Sequence, residues 1–181
     1  MIIVWVVFTY VALSFFEYVS HRWLMHAPRG LMFPEHAVLH HGHYFPRGRF
    51  VWRPGDDPAA PFISIGTGPM PLWTAPFTLL LFFCVSKQGA MVFFGASVLH
   101  GILWRLLHAE MHFARRGWLA RSRLFRFWYD YHHVHHDEPR FNYASLLPMF
   151  DHVFGTYRAP MAYLTQAPGI KTSQGSPTPS G

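Results

Sequence analysis

The sequence predicts an all-α fold, an integral membrane helical bundle with a cytoplasmic, histidine-rich helical cap. Two observations lead to this class. Of the 181 residues, 51% are hydrophobic and only 13% are charged, whereas soluble domains carry about 25% charged residues. The hydrophobic residues also occur in blocks, and most of the 14 histidines fall into motifs at helical spacing. A chain of this length suits one domain.

The first apolar block, residues 1–16, carries no charge before Glu17. A cleaved signal peptide has basic residues before its apolar stretch and a small-residue cleavage site after it, and this block has neither. We therefore predict a retained membrane helix. The block is shorter than the about 20 residues that cross a bilayer. Either the helix continues through Tyr18 toward Trp23, or the chain starts inside a longer first span.

Two further helices are predicted to form a membrane hairpin. Residues 27–60 are polar and cannot lie in hydrocarbon. Glycine and proline interrupt the next apolar region, so its helix is expected at residues 72–85. A tight turn at 86–88 leads to a second helix at 89–107. An amphipathic stretch completes a domain of residues 1–162, and the Pro/Ser/Gly/Thr-rich residues 163–181 are predicted to be a disordered tail.

The distribution of charge predicts the orientation in the membrane. Arginines concentrate before and after the hairpin, whose turn holds only Lys87. By the positive-inside rule both arginine-rich regions are cytoplasmic, and every histidine motif then lies on that side. The net charge of +6 indicates attraction to anionic lipid headgroups, because the chain lacks the long basic stripe of a nucleic-acid partner. The single cysteine, Cys84, excludes a disulfide or a thiolate metal site within one chain.

Four histidine motifs follow one another along the chain: HRWLMH at 21–26, HAVLHH at 36–41, HAEMH at 108–112 and HHVHH at 132–136. Residues three or four apart share a face of an α-helix. His21 and His26 are ~140° apart on an ideal helix. They are expected to converge only across a helix end, which Pro28 favours. The spacing groups His108 with His112, His132 with His135 and His136, and His36 with His40, with His41 adjacent.

Imidazole is a frequent ligand for zinc, iron and copper. A lone histidine on an apolar face is more often a buried, hydrogen-bonded residue than a ligand. Four motifs at ligand spacing on one side of a membrane favour the ligand interpretation. Of the eleven histidines in these motifs, the ten other than His133 have ligand spacing, and ten donors are enough for two metal ions.

The motifs resemble the fatty acid hydroxylase/sterol desaturase superfamily, whose signature is HxxxxH, HxxHH or HxxxHH, HxxxH and HxxHH. The segment after the last motif, ending in Phe-Gly-Thr-Tyr at 154–157, is similar to the fatty acid 2-hydroxylase pattern, although Phe150 stands where those enzymes often have tryptophan. The resemblance covers roughly residues 15–160. His43 leaves the second triplet open among His40, His41 and His43. The metal ligands that the resemblance implies are His21, His26, His36, His40, His41, His108, His112, His132, His135 and His136.

Four other residues are candidate ligands or supports of ligands: His43, His133, His100 and Glu17. His133 lies ~100° from its neighbours on a helix, which favours a supporting or solvent-facing role. His100 lies inside a predicted membrane helix, where an ionisable group is a functional candidate, although a packing role fits equally well. Glu17, four residues before His21, is placed either to orient that imidazole or to serve as a helix-surface or salt-bridged acid.

The resemblance implies a membrane oxidoreductase with a dinuclear iron centre that uses O2 to hydroxylate or desaturate a lipid, with a fatty-acyl or sterol-like chain favoured. Zinc can occupy such sites in isolated protein but has no redox chemistry. The sequence carries no flavin, nicotinamide or cytochrome motif, so we expect an electron-donor partner, a ferredoxin or a cytochrome b5-like protein with its reductase. The alternatives are a carotenoid hydroxylase of related type and a zinc-dependent membrane hydrolase that activates water.

Overall fold

The first membrane helix is longer than its apolar block. In the computed structural model, which describes residues 2–63, 70–114 and 118–160, helix α1 (Ile2–Val19) continues into a π-helical segment, Ser20–Met25. The two together form a 24-residue apolar helix, longer than the about 20 residues that a bilayer requires. The expectation that the helix continues through Tyr18 and Trp23 is confirmed.

A second π-helical segment, Pro34–Tyr44, carries the second histidine motif. Proline is tolerated at its first position, where a helix leaves the backbone N–H without a partner. The connection between the two π segments depends on Gly30, because a Cβ there would lie 2.3 Å from the carbonyl oxygen of Leu24. The N–H of Met32 donates to the same carbonyl at 2.9 Å. These contacts hold the two π segments side by side.

A helical hairpin follows the short helix α2 (Ala60–Ile63) and consists of α3 (Met70–Cys84) and α4 (Lys87–Phe113). Ser86 caps α4, since its hydroxyl accepts the N–H of Gly89 at 3.1 Å. The turn is therefore tighter than the one predicted at 86–88. Helix α4 has 27 residues and continues past the predicted end at residue 107. The third histidine motif thus lies in the last turns of a candidate membrane helix.

Helices α1, α3 and α4 share a core. Helices α1 and α4 approach closely at Gly89, where an added Cβ would lie 2.6 Å from the ring of Trp5. Small residues at such contacts matter in lipid, because dispersion contacts rather than the hydrophobic effect hold membrane helices together. Large apolar side chains are exposed on the outer faces of the three helices, as expected for surfaces that face hydrocarbon. The buried core residues are Leu13, Met70, Leu81, Ala90 and Phe93.

The remaining elements are a 3₁₀ turn at Leu119–Arg121 and helices α5 (Arg123–Asp137) and α6 (Met149–Val153). Helix α5 buries Phe125 and Tyr129 against Phe50 and Met111, which fixes its histidine-bearing face toward the end of α4. All regular elements in the described part of the chain are helices, in agreement with the predicted all-α class. The cytoplasmic position of the cap stays a prediction, and the predicted tail at 163–181 lies outside the described residues.

Candidate metal centre

Ten histidines gather into two adjacent clusters. Within each cluster the five ligand nitrogens lie within 4.8 Å of one another. Nine of the ten side chains are buried and His26 is half-buried. The clusters are in contact, since the rings of His41 and His136, one from each, stack with centroids 4.0 Å apart. Cluster 1 consists of His21, His26, His36, His41 and His135, and cluster 2 of His40, His108, His112, His132 and His136.

The π-helical segments supply four of the five histidines of cluster 1. A π-helix closes i→i+5 hydrogen bonds, so residues five apart lie one turn apart on the same side. His36 and His41 have this spacing in the second segment. In the first segment His21 pairs with His26, the residue that caps its end. The helix end predicted near His26 is present, but the winding before it is π rather than α, and that winding aligns the pair.

Ordinary α-helical turns supply four of the five histidines of cluster 2. His108 and His112 lie four apart near the end of α4. His132 and His136 have the same spacing on α5. Residues four apart share a face of an α-helix, so each pair points into the cluster as predicted.

The structure corrects two groupings expected from α-helical spacing. His40 was expected to point with His36, but the π winding sends His40 to cluster 2 and leaves His36 in cluster 1. His135 was expected to point with His132 and His136, but it reaches into cluster 1 while the other two belong to cluster 2. The second and fourth motifs each therefore serve both clusters, which brings the two candidate metal positions close together.

The nitrogen atoms are spaced like ligands around an ion. The Nε2 atoms of His26 and His135 lie 2.9 Å apart, and those of His36 and His41 lie 3.1 Å apart. In cluster 2, Nε2 of His136 lies 3.2 Å from Nε2 of His132. With metal–nitrogen bonds of about 2.0–2.1 Å, two adjacent nitrogens on one ion lie about 2.8–3.4 Å apart, from octahedral to tetrahedral angles. The clusters therefore match the size of a metal coordination sphere.

Backbone carbonyls orient the rings of cluster 1 from outside. In the loop after α5, the Phe141 carbonyl accepts a hydrogen bond from Nδ1 of His135 at 2.7 Å, and the Tyr143 carbonyl accepts one from Nδ1 of His21. A carbonyl can only accept, so these rings carry their proton on Nδ1 and keep a lone pair on Nε2. The lone pairs converge, and a cation between them would remove their mutual repulsion.

Cluster 2 is oriented in the same way by the segment after the second π-helix. Nδ1 of His112 donates to the Phe50 carbonyl at 2.8 Å, and Nδ1 of His136 donates to the Phe45 carbonyl at 3.3 Å. The Nε2 atoms of His108 and His112 are buried and have no hydrogen-bond partner within the described ranges. Buried polar atoms without partners are costly. A metal ion would give these lone pairs a partner, so the residues present fit the group.

Burial holds the imidazoles in the neutral form that binds metals. Desolvation, helped by repulsion from neighbouring histidines, lowers the pKa of His36, His40 and His132 well below its ordinary value. For His135 desolvation lowers the pKa to about 4, although the hydrogen bond to Phe141 opposes it. These four groups are neutral at pH 7.

Two of the additional candidates lie outside both clusters. His43 is exposed, and its ring packs against Tyr44 with centroids 4.8 Å apart. His133 is half-buried, and its Nδ1 lies 3.5 Å from the carboxylate of Asp137. The second motif therefore contributes His40 and His41, and not His43, to the clusters.

Glu17, for which orienting His21 was one of two roles left open, has other partners. Its buried carboxylate accepts three backbone N–H groups of the loop after α5. This loop also carries the Tyr143 carbonyl that binds His21, so Glu17 supports that ring at one remove. His100 also lies outside the clusters, with Nε2 3.8 Å from the Glu17 carboxylate. The three N–H donors belong to Ser145 at 2.8 Å, Leu146 at 3.0 Å and Leu147 at 3.1 Å.

The loop at 141–147 is the part of the site that sequence reasoning missed. Asp151 holds the loop opposite Glu17, accepting the N–H groups of Tyr143 at 2.9 Å and Ala144 at 2.7 Å. Asn142 turns the chain at a φ of 54°, a conformation that asparagine tolerates better than most residues. Because backbone carbonyls orient the ligands, the identity of the side chains does not predict this role of the loop. The available signals were Asn142 and the single acid in the apolar run before Phe154.

Two buried imidazole clusters able to bind metal, together with two apolar helices long enough to cross a membrane, are typical of a membrane-associated metalloprotein. The chain matches the fatty acid hydroxylase family over residues 6–156, which include all four histidine motifs. It belongs to this family, whose members are lipid hydroxylases and desaturases. The resemblance noted in the sequence is confirmed. The chain has no match among curated proteins or solved structures.

Proposed function

We propose that the chain is a membrane oxygenase that uses two iron ions, O2 and external electrons to hydroxylate or desaturate a lipid with a fatty-acyl or sterol-like chain. The observation that carries the proposal is the convergence of ten histidine nitrogens into two adjacent clusters. Membership of the fatty acid hydroxylase family supports the reaction class. Iron, when bound, supplies the redox chemistry with O2 that protein side chains lack.

The chain's own residues would provide a neutral and rigid ligand set. Each cluster offers five imidazole nitrogens and, among the described residues, no carboxylate. Five donors leave one position open on an ion that prefers six. Carbonyls of the loops at 45–50 and 141–143 hold the rings in place. Burial of the rings keeps bulk water away from the reacting centre.

Imidazole suits zinc as well as iron, so the donor set by itself admits both. The oxidoreductase chemistry of the family favours iron. A zinc-dependent hydrolase makes a different prediction, since it would act without O2 and without a reductant.

Electrons would come from a ferredoxin or a cytochrome b5-like protein with its reductase, docking on the side that the positive-inside rule predicts to be cytoplasmic. A basic surface supports this proposal. Arg140 and Arg158 both lie over the ring of Phe141, at 5.1 and 4.6 Å, and the carbonyl of Phe141 holds His135. Arg47 lines a cleft with Arg140 and, among the described lining residues, one acid, Glu138. Glu138 pairs with Arg140 at 4.0 Å and with Arg158, which leaves a net positive charge on these four residues. An acidic face of a donor would meet this surface next to cluster 1.

The proposal is tested with the purified full-length chain loaded with iron and supplied with a donor, its reductase and 18O2. Metal analysis should find about two ions per chain, and lipids should gain 18O or a new double bond. His132→Ala should lose one ion and the activity, while the matched neighbour variant His133→Ala keeps both. A metal-loaded chain that leaves every lipid unchanged refutes the oxygenase, and product formed without O2 or reductant points to the hydrolase.

A further inference from the structure

An apolar groove runs along the contact between α1 and α4 and encloses about 330 Å³. Its wall on α4 extends from Val92 to Leu107, which is about 22 Å at 1.5 Å per residue. This length exceeds about 15 Å, half the thickness of a bilayer's hydrocarbon core. Val6 and Leu99 line the groove and are 55% and 56% exposed. The groove therefore opens on the face that would meet lipid.

One end of the groove is lined by neighbours of the residues that form and orient the candidate metal centre. Leu107 lines it and directly precedes the cluster 2 residue His108. Leu146 also lines it, and belongs to the loop whose carbonyls orient the rings of cluster 1. The indole N–H of Trp128 donates to the Leu146 carbonyl at 3.3 Å, which fixes this end of the wall. A chain lying in the groove would thus lead toward the clusters.

Two buried polar atoms in this apolar lining make no hydrogen bond to any described residue. Within the described part of the chain, neither Oγ1 of Thr9 nor Nε2 of His100 makes a hydrogen bond. His100 is only 6% exposed. Its Nε2 lies 3.8 Å from the Glu17 carboxylate, which is too long for a hydrogen bond. An unpaired polar atom in such a place is costly, so a ligand that supplies a hydrogen-bonding group gains affinity.

The charges around the groove favour a neutral group on the ligand. Among the described residues, no lysine or arginine lines the groove to pair with an anionic headgroup. The carboxylate of Glu17 lies directly behind His100, and it would repel an anion placed there. A hydroxyl, ester or amide satisfies His100 without that repulsion.

We propose that this groove holds the alkyl chain of a lipid that carries a neutral hydrogen-bonding group, and that His100 is the residue that selects for this group. This inference rests on the proposed lipid oxidation and adds to it the place where the substrate binds. Binding to the groove, however, requires neither metal nor turnover, so the two are tested separately.

The first experiment uses an 18-carbon alcohol carrying a diazirine, crosslinked by light to the full-length chain in lipid nanodiscs without metal or reductant. Peptide mapping should find saturable labelling at the groove residues of α1 and α4, removed by excess unlabelled octadecanol. Leu99→Trp fills the groove and should abolish the saturable labelling. Ile102→Trp changes a residue of the same helix with similar exposure (51%) outside the groove, and should leave it intact. Equal labelling of the two variants overturns the proposal.

The second experiment compares octadecanol with octadecane as competitors for that labelling. In the wild-type chain the alcohol should compete at about a fivefold lower concentration, the value of one hydrogen bond. His100→Leu should reduce this ratio to about one, and His100→Gln, which can still form the bond, should keep it. An unchanged ratio in His100→Leu overturns the role of His100. Loss of lipid oxidation with normal labelling would count against the proposed function alone.

Discussion

Replacing Glu17 by glutamine keeps the size of the side chain but removes one of the two oxygens that accept hydrogen bonds from the loop behind cluster 1. In the native chain Oε1 accepts the N–H groups of Ser145 and Leu146, and Oε2 accepts that of Leu147. Glutamine can keep the first two bonds, but its NH₂ group then faces the N–H of Leu147. We therefore expect one bond to be lost, two to be weakened, and one buried donor to be left unpaired.

These losses set the magnitude of the effect. Hydrogen bonds to charged groups contribute about 1.5–3 kcal/mol each, and an unpaired buried donor costs about 1–3 kcal/mol. The variant no longer buries a charge, which offsets part of the loss. We expect the free energy of unfolding to fall by about 2–4 kcal/mol. Because the same loop carries the Tyr143 carbonyl that orients His21, metal affinity of cluster 1 should fall by about 10–100-fold.

The measurement is the thermal midpoint of the metal-free chain in detergent, followed by metal titration. For a chain of this size, 2–4 kcal/mol corresponds to a decrease of about 4–16 °C. The control is Glu35→Gln, an exposed acid in the second π-helical segment, which should leave the midpoint and the metal affinity unchanged. If Glu17→Gln behaves like this control, Glu17 does not anchor the loop.

Three more predictions concern the site and its supporting loop. His135→Ala removes one nitrogen from cluster 1, so metal analysis should find about one ion per chain, and two ions would contradict the ligand assignment. Acidification should destabilise the metal-free chain. The pKa of His135 is about 4 in the folded chain and ordinarily 6.5, so between these pH values the unfolded state binds more protons than the folded state. The free energy of unfolding therefore falls, by up to about 1.4 kcal/mol per pH unit from this group, as the pH decreases. A urea midpoint that is constant from pH 7 to 5 would refute this. Asn142→Gly loses the side-chain hydrogen bonds to Tyr131 and Arg158 but adopts the φ of 54° without strain. Asn142→Ala loses the same bonds and is also strained at this φ, so it should be less stable than Asn142→Gly by ~1 kcal/mol. Equal melting of the two would show that backbone strain is absent.

The predicted elements that depend on local pattern agree with the structure. The apolar blocks correspond to α1, α3 and α4, because an apolar stretch bounded by polar segments has few alternatives to a helix in lipid. The pairs His108/His112 and His132/His136 point together, because both lie on ordinary α-helices, where a spacing of four residues is enough to align side chains. The family could be identified from the same four motifs, since their order and spacing are properties of the chain itself.

The helix ends and the exposure of His43 were harder to predict from the sequence. Helix α4 continues to Phe113, although the composition turns polar and basic around Arg105, because His108 and His112 in its last turns are buried in cluster 2 rather than placed in water. His43 has the same chemistry and nearly the same position as His40 and His41. Its exclusion from the clusters follows from the direction in which the segment presents each side chain, which spacing alone does not define.

By itself, the sequence determined that four motifs hold ten histidines at ligand spacing, with enough nitrogen donors for two ions. Only the tertiary structure decided how those histidines divide. The π winding of Ser20–Met25 and Pro34–Tyr44 pairs residues five apart, and the packing of α4 against α5 completes the second cluster. The carbonyls that orient the rings belong to the backbone, which every residue has, so residue identity does not predict which carbonyls they are. Winding and carbonyl direction are set by packing between distant segments, and for that reason the division of the ligands became visible only in the folded chain.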